Sequence, residues 1–146
     1  MNSDTTQKLL RSFMQFNRAY WHQKEVLEFK NSEVMMLICI KKNAKPESPG
    51  LMVSEISQIL QVTSPTVTQV LKGMEKKGLV ERNLDQLDRR VVRIKLTEPG
   101  KKITEQAEAA FHTSFSGLID HLGEEQSSQL ADLLEKAYLY YKDISE

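Results

Sequence analysis

The sequence has few of the features that mark secreted or membrane proteins. Its one cysteine, Cys39, excludes a framework of intrachain disulfides. No apolar run approaches the roughly 18 residues that a membrane-spanning helix requires. The first residues, MNSDTTQKLLRS, lack the basic and then apolar pattern of a signal peptide. We therefore expect a cytoplasmic protein.

Motifs of catalysis and metal binding are also missing from the sequence. It contains no Gly-rich phosphate loop, no G-x-S-x-G and no H-E-x-x-H. Zinc sites need about four ligands that converge on one point, whereas His22, His112 and His121 are scattered along the chain. We therefore expect no enzymatic activity, no cofactor and no metal site.

Neither sign of charge is in excess, since 20 basic and 20 acidic residues balance. The distribution is uneven, however. Residues 41–102 carry thirteen lysines and arginines against seven acids, a net charge of +6, whereas residues 103–146 carry two against nine, a net charge of −7. Such a concentration of positive charge in one segment is typical of a surface that contacts nucleic acid.

The most informative stretch runs from Leu51 to Gly100 and begins with two short predicted helices. Apolar residues at helical spacing predict the first helix, and Thr63 is a good N-cap for the second. The second helix is expected to end at Gly78, a residue that favours left-handed backbone. The apolar faces of the two helices are formed by Val53, Ile56, Ile59, Leu60, Val67, Val70, Leu71 and Met74.

The second helix leaves a polar face outside. In a major groove, hydroxyls and amides can reach base edges and an amine can reach phosphates. The predicted DNA-binding residues of this helix and its cap are Thr63, Ser64, Thr66, Thr68, Gln69 and Lys72. Polar residues on a helix face are often merely solvated, so periodicity alone leaves both interpretations open.

Two predicted strands, Leu79–Arg82 and Val91–Leu96, follow this helix. The polar segment between them is too long for a two-residue turn, so it predicts a hairpin with a longer loop. A helix-turn-helix followed by a hairpin is the winged-helix arrangement. Its hairpin, the wing, would carry Arg89 and Arg90 to the DNA backbone or the minor groove. In an extended hairpin, Asp88 and Arg90 would leave on the same face because they are two residues apart.

Long amphipathic helices flank this core. One is predicted from Thr5 to about Lys30, and two more follow the wing, separated by Gly123. A shorter helix, Glu33 to about Lys42, is apolar nearly all round and should be buried. The apolar stripes of the long helices are too broad for one subunit to cover around so small a core, which predicts a homodimer. The expected fold is mainly α with a small β-wing.

The wing and its flanks resemble the MarR family of bacterial winged helix-turn-helix transcriptional regulators. The resemblance is carried by KGLVER at residues 77–82, by Asp88-Arg89-Arg90, and by Leu96-Thr97 with Gly100. It covers essentially the whole chain and implies one domain over residues 1–146. Within it, the winged helix would span about 32–100, and the dimerisation helices about 5–30 and 98–144.

The resemblance also implies a function. Such proteins regulate transcription, commonly as repressors, and bind a pseudo-palindromic operator in double-stranded DNA as homodimers. In them the acid of the wing motif, here Asp88, orients the arginine, here Arg90, which enters the minor groove. Residues 51–53 would form a short strand that pairs with the wing.

Family members commonly bind a small aromatic or phenolic effector between the dimerisation helices and the winged helix. The corresponding pocket here would be lined by Tyr20, Trp21, Met35, Met36, Phe111 and His112. Aromatic residues and methionines at helical spacing are more often ordinary core, so this pocket is a hypothesis that the resemblance favours.

Two alternatives to an effector-controlled DNA-binding regulator remain. One is a thiol-based redox sensor that uses Cys39, although this residue lies in the apolar run MMLICI, where a thiol has a raised pKa and reacts slowly. The other is a winged helix that binds protein rather than DNA. Such a module would be expected to lack the paired wing arginines, Arg89 and Arg90, and the basic segment.

Overall fold

The structure, a computed structural model, describes residues 3–22 and 29–145. The described chain contains six helices and two strands. In order, they are α1 (Ser3–His22), α2 (Asn31–Asn43), α3 (Val53–Leu60), α4 (Ser64–Lys76), β1 (Val80–Leu84), β2 (Val92–Leu96), α5 (Glu98–Leu122) and α6 (Glu124–Ser145). The chain divides into two compact units, Met1–Thr104 and Glu105–Glu146. The expected mainly helical fold with a small β-hairpin is therefore confirmed.

The core of the first unit lies between α2, α3, α4 and the hairpin. Helix α2 contacts α3, α4 and β2, which agrees with the prediction of a buried central helix. The side chains of this core are apolar and almost wholly buried. They are Met36, Leu37, Cys39, Ile40, Leu51, Ile56, Val67, Leu71, Met74, Leu79, Val80, Ile94 and Leu96.

Helix α2 begins at Asn31, two residues before the predicted start. Its N-cap is Lys30, whose backbone N–H donates to the Glu33 carboxylate at 3.0 Å. Helix α3 begins in the same way, because the N–H of Met52 donates to Glu55 at 3.0 Å. A glutamate at the third helical position reaches back to the cap in this manner. Residues 23–28, which the sequence assigns to the first helix, lie outside the described residues.

The turn between α3 and α4 agrees with the prediction. Helix α3 ends at Leu60, and its C-cap Gln61 has a left-handed φ of 56°. The N–H of Val62 then donates to the carbonyl of Ser57. Thr63 caps α4, because its hydroxyl oxygen accepts from the N–H of Thr66 at 3.4 Å. At the other end of α4, Gly78 has the positive φ that was expected of it, 76°.

Strands β1 and β2 pair antiparallel, from Val80 opposite Leu96 to Leu84 opposite Val92. Strand β1 thus runs two residues further than predicted. Leu51 forms a bridge with Ile94, with two backbone hydrogen bonds of 2.8 and 2.7 Å, where a short third strand was expected.

Gly100 explains the spacing of the Leu-Thr-x-x-Gly motif. A Cβ at this position would lie 1.9 Å from the carbonyl oxygen of Leu79, so only glycine fits. Thr97 makes the same junction from the other side, since its hydroxyl donates to the carbonyl of Gly78 at 2.6 Å and accepts from the N–H of Gly100 at 3.1 Å. The motif thus fastens the start of α5 to the segment between α4 and β1.

We expect Gly100→Ala to lower the free energy of unfolding by about 1–3 kcal/mol, because the added methyl group overlaps a backbone carbonyl. Gly73 provides a matched control, since it lies within the last turn of α4 and a Cβ there would meet nothing within 4 Å. Gly73→Ala should raise the free energy of unfolding by about 0.5–1 kcal/mol through helix propensity. Urea denaturation of both variants measures this difference, and equal stabilities would contradict the proposed junction.

The second unit consists of the C-terminal part of α5 followed by α6. Gly123, with a φ of 89°, separates the two helices where a break was expected. Between them lies an open apolar cavity of about 350 Å³. Its lining is formed by Phe115, Leu118, Ile119, Leu122, Glu124, Ser127, Ser128, Leu130, Ala131 and Leu134. Across the described residues, none of the helices combines the length and the apolar character needed to cross a membrane.

Candidate nucleic-acid interface

Helix α4 is attached to the core by one face and exposes the other. Val67, Leu71 and Met74 are buried, and their spacing of four and three residues places them on one side of the helix. The predicted DNA-contacting residues follow the opposite side. Thr63, Ser64, Thr66, Gln69 and Lys72 are exposed, and Thr68 is half-buried.

Two of these hydroxyls already have partners. The side chains of Thr63 and Thr66 are hydrogen-bonded to each other at 2.8 Å, and Thr63 also caps the helix. Thr63 therefore has a structural role in α4, whichever ligand the helix contacts. Ser64 and Gln69, by contrast, have no protein partner among the described residues, so their polar groups are free to bind a ligand.

The wing holds the predicted pair of Asp88 and Arg90. The Arg90 guanidinium donates from Nε to Asp88 Oδ1 at 3.1 Å and from Nη2 to Asp88 Oδ2 at 3.2 Å. The backbone N–H of Arg90 donates to the same carboxylate at 3.0 Å. The side chain of Arg90 is nevertheless 91% exposed. The carboxylate thus fixes the orientation of a guanidinium that projects into solvent.

The prediction that Asp88 and Arg90 leave the same face of an extended strand is wrong. Asp88 and Arg90 do not alternate along an extended strand, because both lie in the loop before β2. This loop turns at this point, and the N–H of Val91 donates to the carbonyl of Asp88 at 3.0 Å. Asp88 closes the turn by accepting a backbone N–H two residues later, which brings the Arg90 side chain back onto its carboxylate.

Electrostatics favour the ionised form of this pair. The side-chain hydrogen bond from Arg90 is the main cause that lowers the pKa of Asp88, and the backbone N–H of Arg90 adds to it. Asp88 is therefore a carboxylate at neutral pH and can hold the guanidinium. Arg89 is also exposed and has no acidic partner among the described residues.

Sequence inspection missed the residues that fasten the base of the wing. Arg93 of β2 donates from Nε to Asp85 at 2.8 Å, and from Nη1 to Glu55 and to the carbonyl of Gly50, both at 3.3 Å. The hydrogen bond from Arg93 is the largest influence that lowers the pKa of Asp85. The sequence shows that Asp85 and Arg93 flank a polar hairpin loop. Whether they pair, however, depends on the register of β1 and β2.

Not every basic residue in the positive segment is available to a ligand. Arg82 pairs with Glu75, and Lys77 pairs with Glu33 at 3.1 Å while lying 4.7 Å from the centre of the Phe29 ring. Lys72, in contrast, is exposed on the same side of α4 as Gln69 and has no acidic partner among the described residues. The uncompensated positive charge thus includes the α4 face and the tip of the wing.

Comparison with known proteins finds relatives of this arrangement. A family model described as "MarR family" matches residues 31–92, which span α2 to the start of β2. Over this segment, which is somewhat less than half of its length, the chain is similar to the MarR family. Its winged helix-turn-helix fold, predicted from the wing motif, is confirmed.

A curated relative and two solved structures are similar to the chain. The HTH-type transcriptional regulator YwaE of Bacillus subtilis is 29% identical over 82 residues, or 56% of this chain and 48% of YwaE, so the match spans about half of that relative's length. The structure of the S. aureus MepR–DNA complex is 26% identical, with a TM-score of 0.75 over 89% of this chain and 96% of MepR. Streptococcus pneumoniae FabT in complex with DNA shares the fold, at 24% identity and a TM-score of 0.69, over 97% of this chain and 95% of FabT.

The residues of the predicted effector pocket have different environments in the structure. Met36 is only 2% exposed and packs in the winged-helix core. Met35 points to the surface, Tyr20 is half-buried, and the side chain of Trp21 lies outside the described residues. In the second unit, Phe111 is half-buried and His112 is exposed. The cavity between α5 and α6 is lined by none of the six predicted residues.

Cys39 has the environment of a core residue. It is buried, and this burial raises the pKa of its thiol more strongly than the hydrogen bond from Asn43 lowers it. The reactive form of cysteine is the thiolate, which a raised pKa makes scarce at neutral pH. This environment does not favour a redox role for Cys39.

Proposed function

We propose that this chain is a sequence-specific DNA-binding transcriptional regulator. The observation that carries the proposal is the combination of an exposed polar face on α4 with a wing whose Arg90 is held outward by Asp88. Helix α4 would enter the major groove, where Ser64, Thr66 and Gln69 can reach base edges. The fixed guanidinium of Arg90 would enter the adjacent minor groove.

A homodimer on a pseudo-palindromic operator is part of this proposal. In the single chain, α1 exposes a stripe of large apolar side chains, namely Leu9, Leu10, Phe13, Met14 and Phe16. Helix α6 exposes Leu133, Leu134, Tyr138, Leu139, Tyr140, Tyr141 and Ile144. So much exposed apolar surface is unusual for a monomer and is typical of a protein interface. A second copy of the chain would cover it and place two α4 helices about 34 Å apart, one turn of DNA.

We further propose that the dimer acts as a repressor in the cytoplasm. A DNA-binding regulator can repress transcription simply by occupying its operator. Release would follow when the dimer binds a small aromatic or phenolic effector. This part of the proposal depends on the resemblance to the family, and loss of operator binding in the presence of such a compound would support it.

Two substitutions on α4 test how the helix contacts DNA. Replacing Gln69 with Ala should cost about 1–3 kcal/mol of operator binding and relax base preference at one position in each half-site. Lys72→Ala should instead weaken binding to all sequences alike and reduce its dependence on salt, because an amine at that position would contact phosphate. Fluorescence anisotropy with an operator and a scrambled duplex, at several salt concentrations, measures both effects. An equal loss on both duplexes for Gln69→Ala would remove Gln69 from the base-contacting set.

A further inference from the structure

Arg93 is the most extensively bonded side chain of the wing. It lies on β2 and is only 24% exposed, and its guanidinium joins Asp85, Glu55 and the carbonyl of Gly50. These partners come from three separate parts of the chain, namely the wing loop, the first turn of α3 and the segment before it. Arg93 therefore connects the wing loop to the helix-turn-helix.

The connection continues from Asp85 to the tip of the wing. While Oδ1 of Asp85 accepts from Arg93, its Oδ2 accepts the backbone N–H groups of Leu87 at 3.1 Å and Asp88 at 2.9 Å. Asp88 in turn accepts both the backbone and the side chain of Arg90. A continuous path of hydrogen bonds thus leads from α3 to the exposed guanidinium.

We propose that Arg93 is a positioning residue, which acts through Asp85 and Asp88 to hold Arg90 in the orientation that a narrow, A·T-rich minor groove requires. This inference rests on the proposed function. A narrow groove has an enhanced negative potential and accepts an inserted arginine, but only in a limited range of directions. A wing loop fixed before binding avoids the entropy that ordering it on the DNA would cost.

The geometry also indicates why this position needs arginine rather than lysine. The planar guanidinium reaches Asp85 from one nitrogen and Glu55 and Gly50 from another, with distances of 2.8 to 3.3 Å. An ammonium group is a single point of charge and cannot span these partners at once. Arg93→Lys keeps the charge and should still lose the positioning effect.

A double-mutant cycle between Arg93 and Arg90 tests the proposal. We expect Arg93→Met to lower operator affinity by about tenfold in the wild-type background, within the range known for coupled residues. In the Arg90→Ala background, Arg93→Met should lower operator affinity by less than about twofold, because the guanidinium that Arg93 positions is already absent. Lys95→Met is the matched control, since it removes one positive charge two residues along β2 and should give the same small effect in both backgrounds.

Flanking sequence gives a second readout that a purely structural role would not change. Wild-type protein should prefer an operator with A·T-rich flanks over one with G·C-rich flanks, and Arg93→Met and Arg93→Lys should both reduce this preference. If Arg93→Met does not fold, Asp85→Asn removes the charge that receives Arg93 and should show the same pattern. The positioning role would be overturned if Arg93→Met lowered operator affinity equally in the wild-type and Arg90→Ala backgrounds and left the preference for A·T-rich flanks unchanged. Absence of specific binding by the wild-type protein would instead overturn the proposed function itself.

Discussion

Replacing Arg90 with Ala is expected to lower operator affinity by at least about a hundredfold, since a dimer loses two charged contacts to DNA at once. The melting temperature should barely change. Arg90 is 91% exposed, and an exposed ion pair contributes little to folding stability. Calorimetry and anisotropy on the same preparation would separate the two effects.

Two neighbouring variants make this result specific. Asp88→Asn removes the charge that holds the guanidinium but keeps an oxygen that can accept the N–H of Arg90, so its loss of affinity should be smaller. Arg89→Ala should weaken binding to all sequences alike, as expected of a phosphate contact. If Arg90→Ala binds like the wild type at physiological salt, the wing is only a scaffold.

Loss of the α1 stripe is expected to abolish the dimer. Phe13 is 66% exposed in the single chain, and Phe13→Glu would place a charge in the proposed interface of each subunit. Because burying one Phe is worth about 1.5–3 kcal/mol and each dimer contains two, the dissociation constant should rise by at least about a hundredfold. Operator binding should fall with it, since two linked half-site contacts become independent.

Sedimentation velocity measures the dimer directly. Gln15→Glu is the control, because it adds the same charge to an exposed polar position of α1. Deletion of Met1–Arg18 should leave monomer or aggregate by exposing the surfaces that α1 covers in the partner. A wild-type protein that sediments as a monomer at micromolar concentration would refute the two-fold model of operator binding.

Local features of the fold were predictable wherever a short stretch determines its own backbone. The Thr63 cap and the left-handed Gly78 depend on residues within one or two turns, and both are confirmed. The start of α2 was missed because Glu33 caps it through the backbone of Lys30, a residue without a typical capping side chain. The spacing of Gly100 after Thr97 was recognised only as a motif. Its physical reason, contact with the carbonyl of Leu79, needs the fold.

In the candidate site, too, only the residues whose placement depends on a short stretch of sequence could be predicted. Residues on the outer face of α4 could be named from helical periodicity, because the buried positions determine the exposed ones. The roles of Asp85 and Arg93 could not, since they meet only when β1 and β2 pair in the observed register and Gly50 approaches Ile94. Met36 was assigned to a pocket because methionine suits both a core and a ligand site, and sequence periodicity does not separate the two.

Selection of bound duplexes from a random-sequence pool most directly tests whether this chain is a sequence-specific regulator. At physiological salt, the wild-type protein should enrich one half-site in two inverted copies, with centres about 10 base pairs apart. The enriched duplex should bind at least about a thousandfold more tightly than a scrambled one. Sequence-specific regulation by this chain would be contradicted if the pool stayed random after repeated rounds of selection. All duplexes would then bind equally, with an affinity that depends on the salt concentration and not on the sequence.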